Sequence, residues 1–214
     1  MIIPALLTSE KKELIGMVKS CANFTNYVQI DIMDGEFVSS KSVEAKDLEG
    51  WKSPVGCEAH LMVNDPLIWI EPFKELGAKR ILYHFEIEKN HAQIIETIKG
   101  AGLEAGIAVN PQTKIDQFKH LIDKVDAVLF MSVNPGFYGA PFIPEVLDKI
   151  AEFKQRYPDK ITEIDGGVKL DNLLTVKASG VDHICVGSAI LKADSPKNAY
   201  LKFSNLLEPK TDDR

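Results

Sequence analysis

The sequence predicts an α/β chain closed into a single (β/α)8 barrel, the TIM barrel, and three observations carry that expectation. Eight short apolar, β-branched runs recur, at 2–6, 27–32, 55–61, 80–83, 104–109, 127–133, 161–164 and 183–186, starting 22 to 34 residues apart. Runs of this kind are expected of strands buried on both faces. Helical signals fill the gaps, and strands alternating with helices imply parallel pairing through right-handed crossovers. No linker, low-complexity stretch or composition shift divides the 214 residues, a length near the lower limit of the fold. A doubly wound open sheet is the rival, but it usually carries a glycine-rich turn after its first strand. Here Leu7-Thr8-Ser9 stands in that place.

Each gap is long enough for one crossover helix. Asp65-Pro66 opens 67–76 with a capping carboxylate and a proline at the first helical position, and Gly77 closes it. Pro72 argues against an unbroken helix there. The stretch 90–99 places Ile94, Ile95 and Ile98 on one face, and 143–157 does the same with Val146, Leu147, Ile150 and Phe153. Helices 170–178, before Gly180, and 195–207 complete the set; the polar end after Leu207 reads as a frayed tail.

Composition excludes several classes. Hydrophobic residues make up 45% and charged residues 26%, ordinary for a soluble globular chain. A net charge of −6 without a Lys/Arg cluster argues against nucleic acid. No apolar run reaches the ~18 residues of a membrane span, and the N-terminus lacks the basic flank of a signal peptide. Cys21, Cys57 and Cys185 form no CxxC pair and read as reduced core thiols, consistent with a cytoplasmic protein.

In a barrel the chemistry sits at the C-terminal ends of the strands. Gln29, Asp31 and Met33 share one side of strand two by the two-residue period, as do His60 and Met62 on strand three, and Asp165 ends strand seven. A buried carboxylate needs a partner. Two carboxylates and an imidazole converging in one mouth suit a divalent cation. Met33, Met62 and Met131 near strand ends are candidates to roof a reacting centre, against ordinary core filling. Gly166-Gly167 after strand seven and Gly187-Ser188 after strand eight are the recurrent barrel arrangement for a phosphate, so the barrel carries phosphate-binding loops after strands 6–8. The strand-six loop, with Asn134, Gly136, Phe137 and Gly139, reads as a lid over the site, against a rigid turn.

The segments QIDIMDGEFV, EAHLMVNDP, IAVNPQT, MSVNPGFYG, EIDGGV and VGSAI resemble, in order and spacing, the ribulose-phosphate 3-epimerase family, from about residue 2 to 193. The resemblance implies an isomerase of the pentose phosphate pathway that interconverts ribulose 5-phosphate and xylulose 5-phosphate by inverting carbon 3. It implies a divalent metal, zinc, iron or manganese, at Asp31, His60 and Asp165, with those two Asp residues as acid and base. Met33, Met62 and Met131 match methionines over the enediolate; Gly167, Gly187 and Ser188 match phosphate-binding positions. A homo-oligomer, dimer or hexamer, is also common in the family. Two departures stand out: Gln29 replaces the first His of the family's HxDxMDG, leaving a neutral amide as a fourth ligand, and Ala5 replaces a Ser on strand one. Tyr138 and Ala140 depart in the lid. Three readings stay open: an active epimerase, an epimerase of another ketose phosphate with altered metal dependence, and a non-catalytic sugar-phosphate-binding homologue. Met33 stands where a related decarboxylase class has Lys, which disfavours that chemistry.

Overall fold

The computed structural model describes residues 1–136 and 141–208. Eight parallel strands close in sequence order into a barrel: β1 (Ile2–Leu6), β2 (Tyr27–Met33), β3 (Gly56–Met62), β4 (Arg80–His84), β5 (Glu104–Val109), β6 (Ala127–Met131), β7 (Ile161–Asp165) and β8 (His183–Val186). The helices between and after them are α1 (Lys11–Cys21), α2 (Leu67–Leu76), α3 (His91–Gly100), α4 (Ile115–Phe118), α5 (Glu145–Arg156), α6 (Leu173–Ala178), α7 (Ser188–Leu191) and α8 (Pro196–Leu207). Helix α1 adds to those read from sequence: Leu14, Val18 and Cys21 recur at i, i+4 and i+7 and are buried.

The helix ends follow local chemistry. Asn90 caps α3 by accepting from the Gln93 N–H at 3.3 Å, and Ser195 caps α8 through Asn198. Helix α2 starts one residue later than expected, with Pro66 in the cap position, and Gly77 ends it at φ 94°. It continues unbroken through Pro72. One expectation fails. Between β2 and β3 the described residues hold a single 3-10 turn, Ala45–Leu48, and no α-helix. That segment has no 3.6-residue apolar repeat; Val38, Val43 and Leu48, each five apart, are its buried apolar anchors.

Alternation along each strand builds two cores. One face packs against the helices around Val28, Ile30, Leu61, Ile81, Tyr83 and Phe130. The other fills the lumen with Ile3, Ala5, Leu82, Ala108, Leu129 and Met131. Gly106 leaves room for Leu82, whose Cδ2 would clash with any Cβ placed there. Register then sets the site: Asp31 lies beside His60, Met33 beside Met62, and Met131 beside Asp165.

Candidate active site

Asp31 and His60 are register partners on adjacent β2 and β3, and closure of the barrel brings Asp165 on β7 to them across the lumen at the C-terminal mouth. One ligand atom from each lies within 4.8 Å of the others. His60 Nδ1 stands 3.0 Å from Asp31 Oδ1 and 3.4 Å from Asp165 Oδ2. Ser132 holds the end of β7 in place by donating its hydroxyl to the carbonyls of Asp165 and Gly166. A cavity of about 600 Å³ opens above this trio. Met33, Met62 and Met131 line it beside Ala5, and Gly166, Gly167, Gly187 and Ser188 line the wall formed by the loops after β7 and β8.

Gln29 lies beneath, fully buried, and its amide spans both carboxylates. Nε2 donates to Asp31 Oδ1 at 2.8 Å and to Asp165 Oδ2 at 2.9 Å, while Oε1 accepts from the Cys185 thiol at 3.1 Å. Two carboxylates on one side and a thiol on the other require this orientation of the amide. Gln29 therefore bridges the two acids as a donor, and its oxygen is turned away from the cation position. Cys185, read from sequence as an inert core thiol, is the partner that holds it there.

The electrostatics separate the members of the trio. Burial, reinforced by neighbouring Asp165, raises the Asp31 carboxyl above its usual range, against the hydrogen bonds from His60 and Gln29. Burial alone would lower His60, but its hydrogen bonds to Asp165 and Asp31 carry it up to about 9. The donor set, two carboxylates and an imidazole on three inward-facing strand positions, fits a divalent cation through Asp31, His60 and Asp165.

Other expected positions fall differently. Asn134 accepts from Gln112 at 2.9 Å and is not in the cavity wall, while Gly136 is. Phe137 and Gly139, with Tyr138 and Ala140, lie outside the described residues. Gly166 and Gly167 have φ of 112° and 65°, and a Cβ on Gly166 would sit 2.5 Å from Val133, so the turn itself requires glycine. Reading from sequence missed His84 and Glu86, which stand directly behind His60. His84 ends β4 one residue beyond the run taken as its strand, so the signal used for His60, an ionisable residue at a strand end, applies to it equally. Lys169 and Asn172, also in the wall, carried no such signal.

Comparison with known proteins gives the family. The family model described as the ribulose-phosphate 3 epimerase family matches residues 1–191. The chain is 34% identical to ribulose-phosphate 3-epimerase of Helicobacter pylori strain J99, covering 97% of this chain and 98% of that one. It is 33% identical to the enzyme of the same name from Escherichia coli K12, covering 89% and 88%. Among solved structures, KGPDC from Streptococcus mutans superposes with a TM-score of 0.73 at 15% identity over 95% of each chain. The 3-hexulose-6-phosphate synthase from Salmonella typhimurium gives 0.70 at 14%, over 96% of this chain and 97% of that one. The latter two show the barrel alone; the sequence matches, spanning nearly the whole chain, show that it belongs to the ribulose-phosphate 3-epimerase family.

Proposed function

We propose that this isomerase interconverts D-ribulose 5-phosphate and D-xylulose 5-phosphate, with Asp31 and Asp165 exchanging the carbon-3 proton. The observation that carries the reading is the convergence of these two carboxyls on Gln29 and His60 at the floor of a cavity of sugar-phosphate size. Their inner oxygens, Asp31 Oδ1 and Asp165 Oδ2, take the bonds from Gln29 and His60. The outer oxygens are left for substrate. One carboxylate removes the proton from carbon 3, and the other, protonated, returns one to the opposite face. Inversion needs the pair in unlike protonation states, and the raised Asp31 supports that difference. In the reverse direction the two exchange roles.

A divalent cation held by Asp31, His60 and Asp165 would supply Lewis-acid stabilisation of the charge on the substrate oxygens. Met33, Met62 and Met131 keep water from the reacting carbon. Backbone N–H groups of Gly166, Gly167, Gly187 and Ser188 take the phosphate, with Lys169 in the same cavity wall. Gln29, with its oxygen on Cys185, favours three protein ligands over four. Among the described residues no helix is long and apolar enough to cross a membrane. The three cysteines are free and buried, which supports a cytoplasmic setting.

The test is solvent-deuterium exchange at carbon 3 of D-ribulose 5-phosphate. Chelator-dialysed protein is assayed alone and with Zn²⁺, Fe²⁺ or Mn²⁺. Exchange together with xylulose 5-phosphate formation is expected with at least one metal; no exchange with any of them would overturn the reading.

A further inference from the structure

Behind the trio runs a buried chain of hydrogen bonds that the proton exchange does not use. His60 Nε2 lies 3.1 Å from His84 Nε2, and His84 Nδ1 lies 3.1 Å from Glu86 Oε2. Both rings are fully buried. The other oxygen of Glu86 is already engaged: it accepts from the Asn110 N–H at 2.8 Å and from the Thr113 hydroxyl at 2.5 Å. Lys149 fixes that loop by donating to the carbonyls of Asn110, Pro111 and Thr113 at 2.9 to 3.0 Å.

We propose that Glu86 and His84 are positioning residues that fix the ring tautomer of His60, so that its Nδ1 is the atom offered to a cation between Asp31 and Asp165. This rests on the reading of that trio as the metal site. Glu86 sets the order. A carboxylate carries no proton, so its contact with His84 requires the proton on His84 Nδ1. A neutral His84 then has a bare Nε2. Two bare nitrogens do not sit 3.1 Å apart, so His60 must carry a proton on Nε2 and donate it. His60 Nδ1 is then the one ring position open to a cation: it faces both carboxylates, and without a cation it carries the proton given to Asp31, which a cation would displace while Nε2–H stays on His84. The direction of the whole chain is set where Glu86 meets the backbone of the loop after β5.

A purely structural network would satisfy the same four groups without caring which way the protons point. Glu86→Gln separates the two. The Asn110 N–H and Thr113 hydroxyl still require an oxygen, so the Gln NH2 must face His84 and donate to Nδ1. The order reverses: His84 carries its proton on Nε2 and gives it to His60 Nε2. His60 Nε2 is then bare to accept it, and the one proton His60 keeps is committed to Nδ1 against the carboxylates, where a cation would have to take its place. Size and hydrogen-bond number are unchanged; the carboxylate charge is lost as well, which is why the tautomer is read directly beside the affinity and why His84→Leu and His84→Gln, which keep Glu86, accompany it.

Two readouts test this on the full chain. Long-range ¹H–¹⁵N correlation of histidine-labelled, metal-free protein reports the tautomer of His84: proton on Nδ1 in the wild type, on Nε2 in Glu86→Gln. Competition with a chromophoric chelator reports Zn²⁺ affinity, which is expected to fall about 10- to 100-fold in Glu86→Gln. His84→Leu should weaken it as much, whereas His84→Gln, whose amide can donate to Glu86 and accept from His60, should keep it within a few-fold. A wild-type His84 protonated on Nε2, or Glu86→Gln and His84→Leu binding Zn²⁺ as the wild type does, would overturn the relay and leave the metal site standing. A wild-type protein that takes up no Zn²⁺ would overturn both.

Discussion

At the floor of the lumen Glu58 and Glu163 face Arg80; at the mouth Asp31 and Asp165 face Gln29 and His60. Both are pairs of buried carboxyls on inward-facing strand positions, yet they are neutralised differently. On the floor one Arg80 nitrogen contacts Glu163 closely and Glu58 at 3.3 Å, while Glu104 takes the rest of the guanidinium at 2.6 and 2.9 Å. Tyr27 donates to Glu58, and His183 meets Glu163. Burial and the neighbouring Glu163 hold Glu58 above the usual carboxyl range, against the pull of Arg80, and so favour its protonated form. Burial works against the Glu163 charge, but His183 and Arg80 hold that carboxyl low. The floor thus has a permanent cation and two carboxyls pushed in opposite directions. The mouth has no such cation: a neutral amide, and an imidazole whose proton can leave. The same ingredients make a fixed plug where the cation is guanidinium and a reactive pair where it is exchangeable.

The largest effect should come from breaking the mouth. Asp31→Asn is expected to lower kcat by about 10²- to 10⁴-fold, the usual worth of a positioned acid or base, with substrate binding retained. Because it removes one of two crowded carboxyls, it should also leave Tm unchanged or raise it by about 2–4 °C in the metal-free protein, the equivalent of roughly 1 kcal/mol at this size. Isotope exchange, ligand titration and calorimetry check the three parts. Retention of more than a tenth of the wild-type rate would remove Asp31 from the proton transfer.

Breaking the floor should do the opposite. Arg80→Met strands the Glu163 carboxylate without its cation and is expected to cost about 3–5 kcal/mol of stability, with little change in kcat for the protein that remains folded. Denaturant unfolding reads the loss, and adding Glu163→Gln should recover part of it. A stable Arg80→Met protein with reduced turnover would erase the distinction between the two ends.

Gln29→His sharpens the comparison from the other side by giving the mouth a fourth ligand. Zn²⁺ affinity is expected to rise about tenfold or more, since imidazole is the better ligand for zinc, and the Gln29 bond to Cys185 is lost. Unchanged metal content after chelator dialysis would mean that position 29 does not reach the cation.

These two clusters also mark how far sequence reading reached. The barrel was legible because strands buried on both faces leave short apolar runs, and polar residues interrupting them, such as Asp31 and His60, stand out. The mouth could be assembled because period two places Gln29, Asp31 and Met33 on one side. The direction of the Gln29 amide was not legible: it depends on Cys185, 156 residues away in sequence. The floor was passed over. Arg80 opens its strand and reads as a solvated terminus, but Glu58 and Glu163 stand inside β3 and β7, two residues before His60 and Asp165 and on the same side, so the signal used for the mouth applied to them and was not followed. The absent helix between β2 and β3 shows that gap length alone does not predict a helix; an apolar repeat is needed to bury one face.

The smallest effect concerns pH and belongs to the floor end. Asp182 precedes β8, and its Oδ2 accepts from the Thr162 N–H at 2.8 Å, the Thr162 hydroxyl at 2.9 Å and Lys154 at 3.0 Å. Burial opposes its charge, but these bonds hold the carboxyl below its usual range. A carboxyl depressed in the folded state adds stability above its unfolded value, near pH 4, and that stability is lost as pH falls through the folded value. The side chain is 38% exposed, so screening keeps the contribution under about 1 kcal/mol. Asp182→Asn should therefore lower Tm by no more than about 2 °C at pH 7, with the gap to wild type closing as pH falls below the unfolded value of about 4. The mouth predicts the contrary: Asp31 is held high rather than low, so the wild type regains stability there as pH falls towards about 4, and any Tm advantage of Asp31→Asn should shrink with falling pH, making its acid limb as steep as the wild type's or steeper. If Asp31→Asn flattens that limb and Asp182→Asn does not, the mouth carries the acid sensitivity assigned here to the floor.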